Sequence, residues 1–536
     1  MKLIEIPLVK DRDKIYRWFE RVPGILSWSL LAFPAILSVI STTLAAYFIL
    51  VYLLLWVIKA IALNVRMIQG YRKINEYMAY EWNKLLNELD NPKKTYAQYE
   101  QGISPSWHLN NIKSIEARGD NRLFQKDIYN AVIIAVYNET RDIIEPTLKS
   151  IIQSSYNLKK LIVVIAYEER GGPEVRSTIE ELVGQYKHEF FHMEGVEHPK
   201  DIPNEVVGKG GNITFAGRRL KELLDDKSIS YENVIVTTLD SDNRPHPEYF
   251  AALTYSYLAC PDYIHTSFQP ISMFTNNIWD VPAPMRVIAT GNSFWNIVLA
   301  LRPHMLRNFA SHSQSMQTLI DTDFWSVRTI VEDGHQYWRT YFTYDGNHDV
   351  HPILIPIYQD AVLSNTYTKT LKAQFIQVRR WAWGASDIAY VLQMGWRRKN
   401  RISKIDLFMK TARLIEGHVS WATASLLLLL GAFVPLYLSP HSSTSIVAHQ
   451  LPIIASRIQT FAMVGMFIGI YLSIRLLPPK PPRYKTRHRV YMILQWVYLP
   501  VTTIVYSGLA ALYSQTRLLF GRYLGKFDVT EKAVKK

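Results

Sequence analysis

Cysteine is almost absent. Cys260 is the only one in 536 residues, which excludes an intramolecular disulfide and a cysteine metal site. Beside Pro261 it reads as a small packed side chain. His246, His312 and His335 have no metal-ligand spacing among themselves. They read as polar wall or surface residues, with His335 expected to line a site. There is no internal repeat, and no helix-turn-helix, zinc-finger or RNA-binding signature. The net charge of +14 is therefore not expected to serve nucleic acid. Acidic residues are the minority, 46 against 60 Lys and Arg. With long apolar runs present, that balance points to cytoplasmic loops and anionic lipid head groups. The runs hold few ionisable residues, which argues against a transporter or channel.

What is present divides the chain. Basic residues Lys2, Lys10, Arg12, Lys14, Arg17 and Arg21 precede an apolar stretch from Ile25 to Leu63. It is roughly twice the ~20 residues that cross a bilayer, too long for a signal-peptide core. Ser41-Thr42-Thr43 is its most polar point, and Arg66, Arg72 and Lys73 follow. Positive charge on both flanks predicts a hairpin with both ends in the cytoplasm, against the alternative of one tilted helix. Tyr71 to Leu89 has amphipathic helical spacing, ended by Asn91-Pro92. Val419 to Leu438 and Ile458 to Leu477 read as spans. Pro478 to Arg489 is basic and expected to be cytoplasmic, and Arg397 to Lys410 is expected to lie against the membrane surface. Val490 to Leu512, with Pro500 inside, poses a conflict. A further crossing would put Arg517, Arg522, Lys526 and the basic tail outside, against the positive-inside rule. A broken helix pair or a half-inserted segment resolves it.

The middle of the chain alternates strand and helix patterns. Asn130 to Val136, Leu161 to Ala166 and the run into Asp240 read as buried strands. Ile143 to Ser154, Pro173 to Tyr186 and a segment from Gly208-Lys209-Gly210-Gly211-Asn212 to Leu224 read as helices. This order predicts a parallel sheet with covered faces. Tyr263 to Phe268 and Ile353 to Ile357 read as further strands, and Asn292 to Arg302 and Met305 to Leu319 as helices. Polar Ser311-His312-Ser313-Gln314-Ser315 reads as a capped helix start or as a wall facing an acceptor. The implied domains are 1–68 (arm and hairpin), 69–126 (connector), 127–345 (α/β), 346–417 (acceptor-side and interfacial helices) and 418–536 (C-terminal spans and tail).

Asp240-Ser241-Asp242 stands where the strand Val234-Ile235-Val236 would end. Two carboxylates one residue apart at a strand's C-terminal edge can face one hard cation, and oxygen donors suit Mg²⁺ or Mn²⁺. Ligands of open α/β sheets sit at that edge. Lys209 within its glycines could bring an ammonium and backbone N–H groups to a phosphate, though such loops are often only turns. Glu332-Asp333 reads equally as an acidic pair at a helix N-terminus.

Asn138-Glu139, Asp240-Ser241-Asp242, Glu332-Asp333 and Gln377-Val378-Arg379-Arg380-Trp381 stand in the order seen in family-2 glycosyltransferases. With the flanking apolar segments, the Gln-x-x-Arg-Trp motif resembles the membrane-integrated branch of cellulose, hyaluronan and related polysaccharide synthases. The resemblance implies a GT-A α/β domain (nucleotide-diphospho-sugar transferase) inserted between transmembrane helices, working with Mg²⁺ or Mn²⁺. It implies Asp333 as general base with Glu332 orienting it, and Asp240 and Asp242 at the metal. Asn138, Glu139, Lys209 and Asp240 would face the donor. Gln377, Arg380 and Trp381 would face acceptor and diphosphate, Arg as a planar fork and Trp as a stacking surface. Arg379 and Trp383 would be membrane-interface residues. Where the family usually has an Asp for the nucleotide base, the chain reads Ala166-Tyr167-Glu168-Glu169, so Glu168 is the expected substitute.

The expected activity is inverting transfer from a nucleotide-diphospho-sugar to a growing glycan. The expected setting is the plasma (inner) membrane, with the catalytic domain cytoplasmic. The alternatives are transfer of one sugar to a lipid-linked acceptor, and a non-catalytic membrane scaffold.

Overall fold

The computed structural model describes residues 4–99, 105–119, 122–397, 399–440 and 442–525. Lys2, Lys526 and the basic tail lie outside the described residues. An eight-stranded sheet forms the centre, in the order β3-β2-β1-β4-β7-β6-β8-β5. Its strands are β1 (Tyr129–Val136), β2 (Leu161–Glu168), β3 (His192–His198), β4 (Val234–Asp240), β5 (Arg244–Pro245), β6 (Thr266–Phe274), β7 (Ser313–Ser315) and β8 (Asp349–Gln359).

The near-continuous apolar runs of β1 and β2 are buried on both faces, as strands covered by helices must be. Side chains alternate across the sheet with period two. Val132, Ile134, Val163 and Ile165 pack with helices Arg141–Ile152, Pro173–Tyr186 and Tyr249–Ala259. Ala131, Ile133, Ile162 and Val164 pack with helix Lys209–Asp226 and with Phe324 and Trp325.

The sheet is continuously parallel from β3 to β4. β7 runs antiparallel to both β4 and β6, β8 is parallel to β6, and β5 antiparallel to β8. The parallel order expected of the first strands holds for β1, β2 and β4, and the sheet becomes mixed beyond β4. β3 was not anticipated because its sequence, His192-Met193-Glu194-Gly195-Val196-Glu197-His198, is charged. As an edge strand it gains from polar residues that discourage further pairing.

The expected helix from Met305 to Leu319 is also corrected. A single 3₁₀ turn at Pro303–Met305 is followed by extended chain, β7, and a short helix Met316–Asp321. The polar run prefers the sheet because its buried groups find partners there: Ser313 Oγ with Thr237 Oγ1 at 2.7 Å, and Gln314 Nε2 donating to Ser267 Oγ at 2.8 Å. Burial of such groups is tolerated only when they are paired. Ser315 caps the short helix.

Apolar helices flank this domain. α1 (Lys14–Ile40) and α2 (Thr42–Met78) break at Ser41, which is extended. The hairpin forms at the polar point of the first apolar run, and the single tilted helix is excluded. α2 runs on as far as Met78, so the expected helix Tyr71 to Leu89 is instead the end of α2 plus a short helix, Trp82–Glu88. Pro92 opens the next helix, Pro92–Tyr99, where its missing N–H costs nothing. The N-terminal arm is a strap on the α/β domain: Ile4 O accepts from Tyr390 Oη, and Glu5 pairs with buried Arg339 at 2.7 Å.

Five helical runs are long and apolar enough to cross a bilayer: Lys14–Ile40, Thr42–Met78, Lys404–Leu438, Ile446–Arg475 and Arg487–Leu519. The last one differs from the rest in its contacts. Before its start, Arg483 pairs with Asp280, and Trp279 donates to Pro478 O. At its end, Ser514 donates to Arg379 O, Leu518 packs on Trp383 and Ile330, and Tyr523 donates to Glu20. Both ends therefore meet the α/β domain, and the second also meets the start of α1. A straight crossing would part them by a bilayer's thickness, ~30 Å of hydrocarbon. The segment contains 3₁₀ and π turns around Pro500, the irregularity expected of a helix that changes direction.

Candidate active site

Four elements deliver charged or polar groups to one point on the C-terminal edge of the sheet. β4 ends on Asp240, which pairs across the sheet with Ala135 of β1. Helix Lys209–Asp226 begins with Lys209. Helix Glu332–Thr343 begins with the acidic pair Glu332 and Asp333, favourable at a helix N-terminus. The turn before β7, closed by His312 N donating to Phe309 O, brings His312.

Lys209 is the hub. Its side chain is 8% exposed, and Nζ lies 3.0 Å from Asp240 Oδ1, 3.4 Å from Asp333 Oδ2 and 3.9 Å from Glu332 Oε1. Burial lowers its proton affinity, but the three carboxylates outweigh this and hold it above the ordinary lysine range. A buried ammonium persists because it is paired. The flanking glycines are explained by packing. A Cβ on Gly210 would stand 2.3 Å from Ser326 O, and one on Gly211 2.6 Å from Glu205 Oε2. Asn212 ties the ends of β1 and β2 together through Val136 O and Ala166 O.

His312 adds a neutral donor. Its Nε2 accepts from Trp325 Nε1 at 3.0 Å, so Nδ1 carries the hydrogen, 2.9 Å from Phe309 O and 3.5 Å from Asp333 Oδ1. Burial lowers its proton affinity further. His335, the histidine expected at the site, lies across its helix and bonds Asp387 at 2.8 Å. Two residues past Asp333 on a helix is about 200° round the axis. The role expected of His335 belongs by position to His312, and nothing in the residue pattern distinguished the two.

Burial, and then the charge of Asp333, push the Glu332 carboxyl up to about 7. Its pKa in the unfolded chain is near 4.5, so the native state holds a proton that the unfolded state has lost. That stabilisation is full below the unfolded value and disappears as pH rises through about 7. Glu332→Gln cannot titrate. Its thermal midpoint should fall less than that of wild type between pH 5.5 and 8, measured in the same detergent. Parallel curves would show that Glu332 ionises normally.

Asp242 is buried and accepts from Asp360 N at 3.1 Å, while Asn276 donates to its carbonyl. Among the described residues no three His, Cys, Asp or Glu side chains converge as a closed metal cage. Two carboxylates from one strand end still suit Mg²⁺ or Mn²⁺, which take one or two carboxylates and complete their shell with phosphate oxygens and water. Asp240, with 37% of its side chain exposed, is open enough for that. The donor set fits such a cation.

The remaining sequence candidates are dispersed along the same edge. Asn138 is exposed, and Glu139 folds back to accept from Tyr137 N at 2.8 Å. Glu168 ends β2, two strands from Asp240. It lies 3.1 Å from Arg170 and 3.2 Å from His198, whose other nitrogen meets Glu205 at 3.1 Å. Burial disfavours the His198 charge, but Glu168 and Glu205 outweigh it and push the imidazole up to about 9. A cavity of about 120 Å³ lined by Arg170, His198, Asp201 and Glu205 adjoins Gly208.

Gln377, Arg380 and Trp381 lie on helix Tyr367–Ala382. Their i, i+3, i+4 spacing puts them on one face. The charge of Arg380 reaches Glu332, and Trp381 stands 6.1 Å from Phe274 at the end of β6. Arg379 lies over the Tyr513 ring. Trp383, expected at a membrane interface, is instead buried with Ile330, Ala385 and Leu518, because the last apolar segment covers it.

No protein-family model and no curated protein matches the chain. Solved structures are similar to it at low identity. One is a mannosyltransferase from Pyrobaculum calidifontis in complex with GDP-Man and Mn²⁺: 12% identity, covering 86% of this chain and 100% of that one, TM-score 0.40. Another is S. aureus TarS 1-349 with UDP-GlcNAc: 12%, 74% and 93%, TM-score 0.34. GalNAc-T7 with UDP, GalNAc and Mn²⁺ aligns at 9%, 55% and 58%, TM-score 0.33.

Proposed function

We propose that the chain is a membrane-embedded, inverting glycosyltransferase that moves a sugar from a nucleotide-diphospho-sugar to a growing glycan, as a polysaccharide synthase. The observation that carries this reading is the convergence of Asp240, Asp333 and Glu332 on Lys209, beside Asp242, at the C-terminal edge of a sheet domain inserted between apolar helices. The four motifs of the family-2 pattern support it by their order in the chain.

In this reading the acceptor hydroxyl oxygen attacks the anomeric carbon and its proton passes to Asp333. The bond from that carbon to the diphosphate oxygen breaks, and the electron pair leaves with the nucleoside diphosphate. Attack from the face opposite the leaving group inverts the anomer. Asp240 and Asp242 would hold Mg²⁺ or Mn²⁺, which would supply charge neutralisation at the leaving diphosphate. Lys209 limits the negative charge that an anionic donor meets. Arg380 offers its fork to phosphate oxygens, and Trp381 with Phe274 forms an apolar face for a sugar ring. Asn138, Glu139 and Glu168 form the donor's outer wall.

Incubating purified protein with single nucleotide sugars and Mn²⁺ tests the function. Release of nucleoside diphosphate with a long glycan product is expected. A product one sugar long on a lipid indicates the single-transfer alternative, and no release with any donor indicates a scaffold.

The catalytic domain faces the cytoplasm in this reading, with four crossings and a re-entrant last segment. Single cysteines at Lys10, Lys485 and Arg522, in a Cys260→Ala background, should escape an impermeant thiol reagent in intact cells and react after permeabilisation. A cysteine at Ser443 should react in both. Labelling at Arg522 in intact cells would make the last segment a full crossing.

A further inference from the structure

Four arginines from three parts of the chain gather where α2 and helix Lys404–Leu430 approach the α/β domain: Arg66 on α2, Arg302 and Arg307 around the turn Pro303–Met305, and Arg413. All four act on His304, whose imidazole is held below its ordinary proton affinity by burial and then by Arg413, Arg302, Arg66 and Arg307. Arg413 donates to His304 O. Arg307 lies over the Tyr337 ring at 4.2 Å, which fixes its plane. Arg302 Nε is buried without a hydrogen-bond partner.

The nearby carboxylates are already engaged. Glu416 pairs with Lys59 at 2.8 Å and Asp406 with Lys410 at 2.6 Å. None of the four arginines has a carboxylate within ion-pair distance among the described residues. Like charges held together without partners are costly unless an anion joins them.

Depth identifies the anion. Thr42 and Ser439 hydrogen-bond at the far ends of their helices, which sets a common origin. Arg66 is 24 residues from Thr42 and Arg413 is 26 from Ser439, roughly 36 and 39 Å of helix. Hydrocarbon is ~30 Å thick and head groups extend the bilayer to ~40–45 Å. Both arginines thus reach head-group depth, and exposed Ile58, Ile61 and Val65 lead up to Arg66.

We propose that Arg66, Arg302, Arg307 and Arg413 form a binding site for a lipid phosphate, the head group of an anionic phospholipid. Arginine forks match phosphate oxygens in geometry as well as in charge. The site rests on the reading that α1 and α2 cross a membrane. Extraction of the protein from membranes by alkaline carbonate would overturn that reading separately.

The test uses the full chain, delipidated in detergent and titrated with phosphatidylglycerol, with native mass spectrometry counting bound lipid. Saturable binding of one lipid is expected, about 30-fold weaker in Arg302→Gln/Arg413→Gln. Arg302→Lys/Arg413→Lys keeps the charge and guards against misfolding; it should lose part of the binding. Arg487→Gln/Arg489→Gln, in the exposed basic stretch, should bind as wild type does. Inorganic phosphate added in excess should not displace the lipid, and displacement would identify a soluble anion as the occupant and overturn the lipid assignment. Equal binding by wild type and the Gln variant, or no saturable binding, would overturn the site.

Discussion

Asp333→Asn is expected to lower turnover by about 10²–10⁴ while leaving donor affinity unchanged, the usual effect of losing a positioned base. Asn has the volume and hydrogen-bonding capacity of Asp but cannot take up a proton at neutral pH. The neighbours that hold the position remain: Lys209 at 3.4 Å, His312 at 3.5 Å and the first turn of the helix. In the proposed reading donor contacts run through Asp240 and Asp242 on β4 and its turn, so they should survive. Steady-state rates beside donor binding by calorimetry separate the two effects. If binding and turnover fall together, Asp333 is a donor ligand and the base lies elsewhere.

Asp242→Asn should be at least as damaging, by a different route. The substitution removes one of two charged oxygen donors available to the cation, and loss of several kcal/mol of charge stabilisation at the leaving diphosphate corresponds to roughly 10²–10³ or more in rate. The fold should be spared, because an Asn Oδ1 can still accept from Asp360 N. The expected outcome is an unchanged thermal midpoint, loss of the metal dependence of donor binding, and turnover near background. Excess chelator should reproduce this in wild type. Full activity in the variant, or in chelator, would remove the metal from the reaction.

The parts of the molecule legible in the sequence are those set by local pattern. The apolar runs of β1, β2 and β4 have the length and β-branched content of covered strands, and Ser41-Thr42-Thr43 was the most polar point of the first long apolar run. Asp240 and Asp242 were visible because they follow an apolar strand immediately. What stayed hidden depends on partners distant in sequence. β7 looks helical until Thr237 and Ser267 are placed beside it. Lys209 reads as a phosphate ligand until Asp240, Glu332 and Asp333 close around it, and only the fold reveals a buried ammonium among three carboxylates. His312 and His335 are alike as letters, and which one faces Asp333 is decided by a strand and a helix face. The conflict over the last apolar segment was a conflict of charge rules. Contacts at both of its ends, to Asp280 and to Arg379, favour the half-inserted alternative.

The most direct test of sugar transfer at this carboxylate cluster is the anomeric configuration of a single-turnover product. Wild-type protein would be incubated with Mn²⁺, an acceptor and an α-linked nucleotide sugar labelled with ¹³C at the anomeric carbon, and the new linkage read by NMR. A β-linked product, formed about 10²–10⁴ times more slowly by Asp333→Asn, is the expected result. An α-linked product, or a β-linked product formed equally well by Asp333→Asn, would contradict direct displacement with Asp333 as the base.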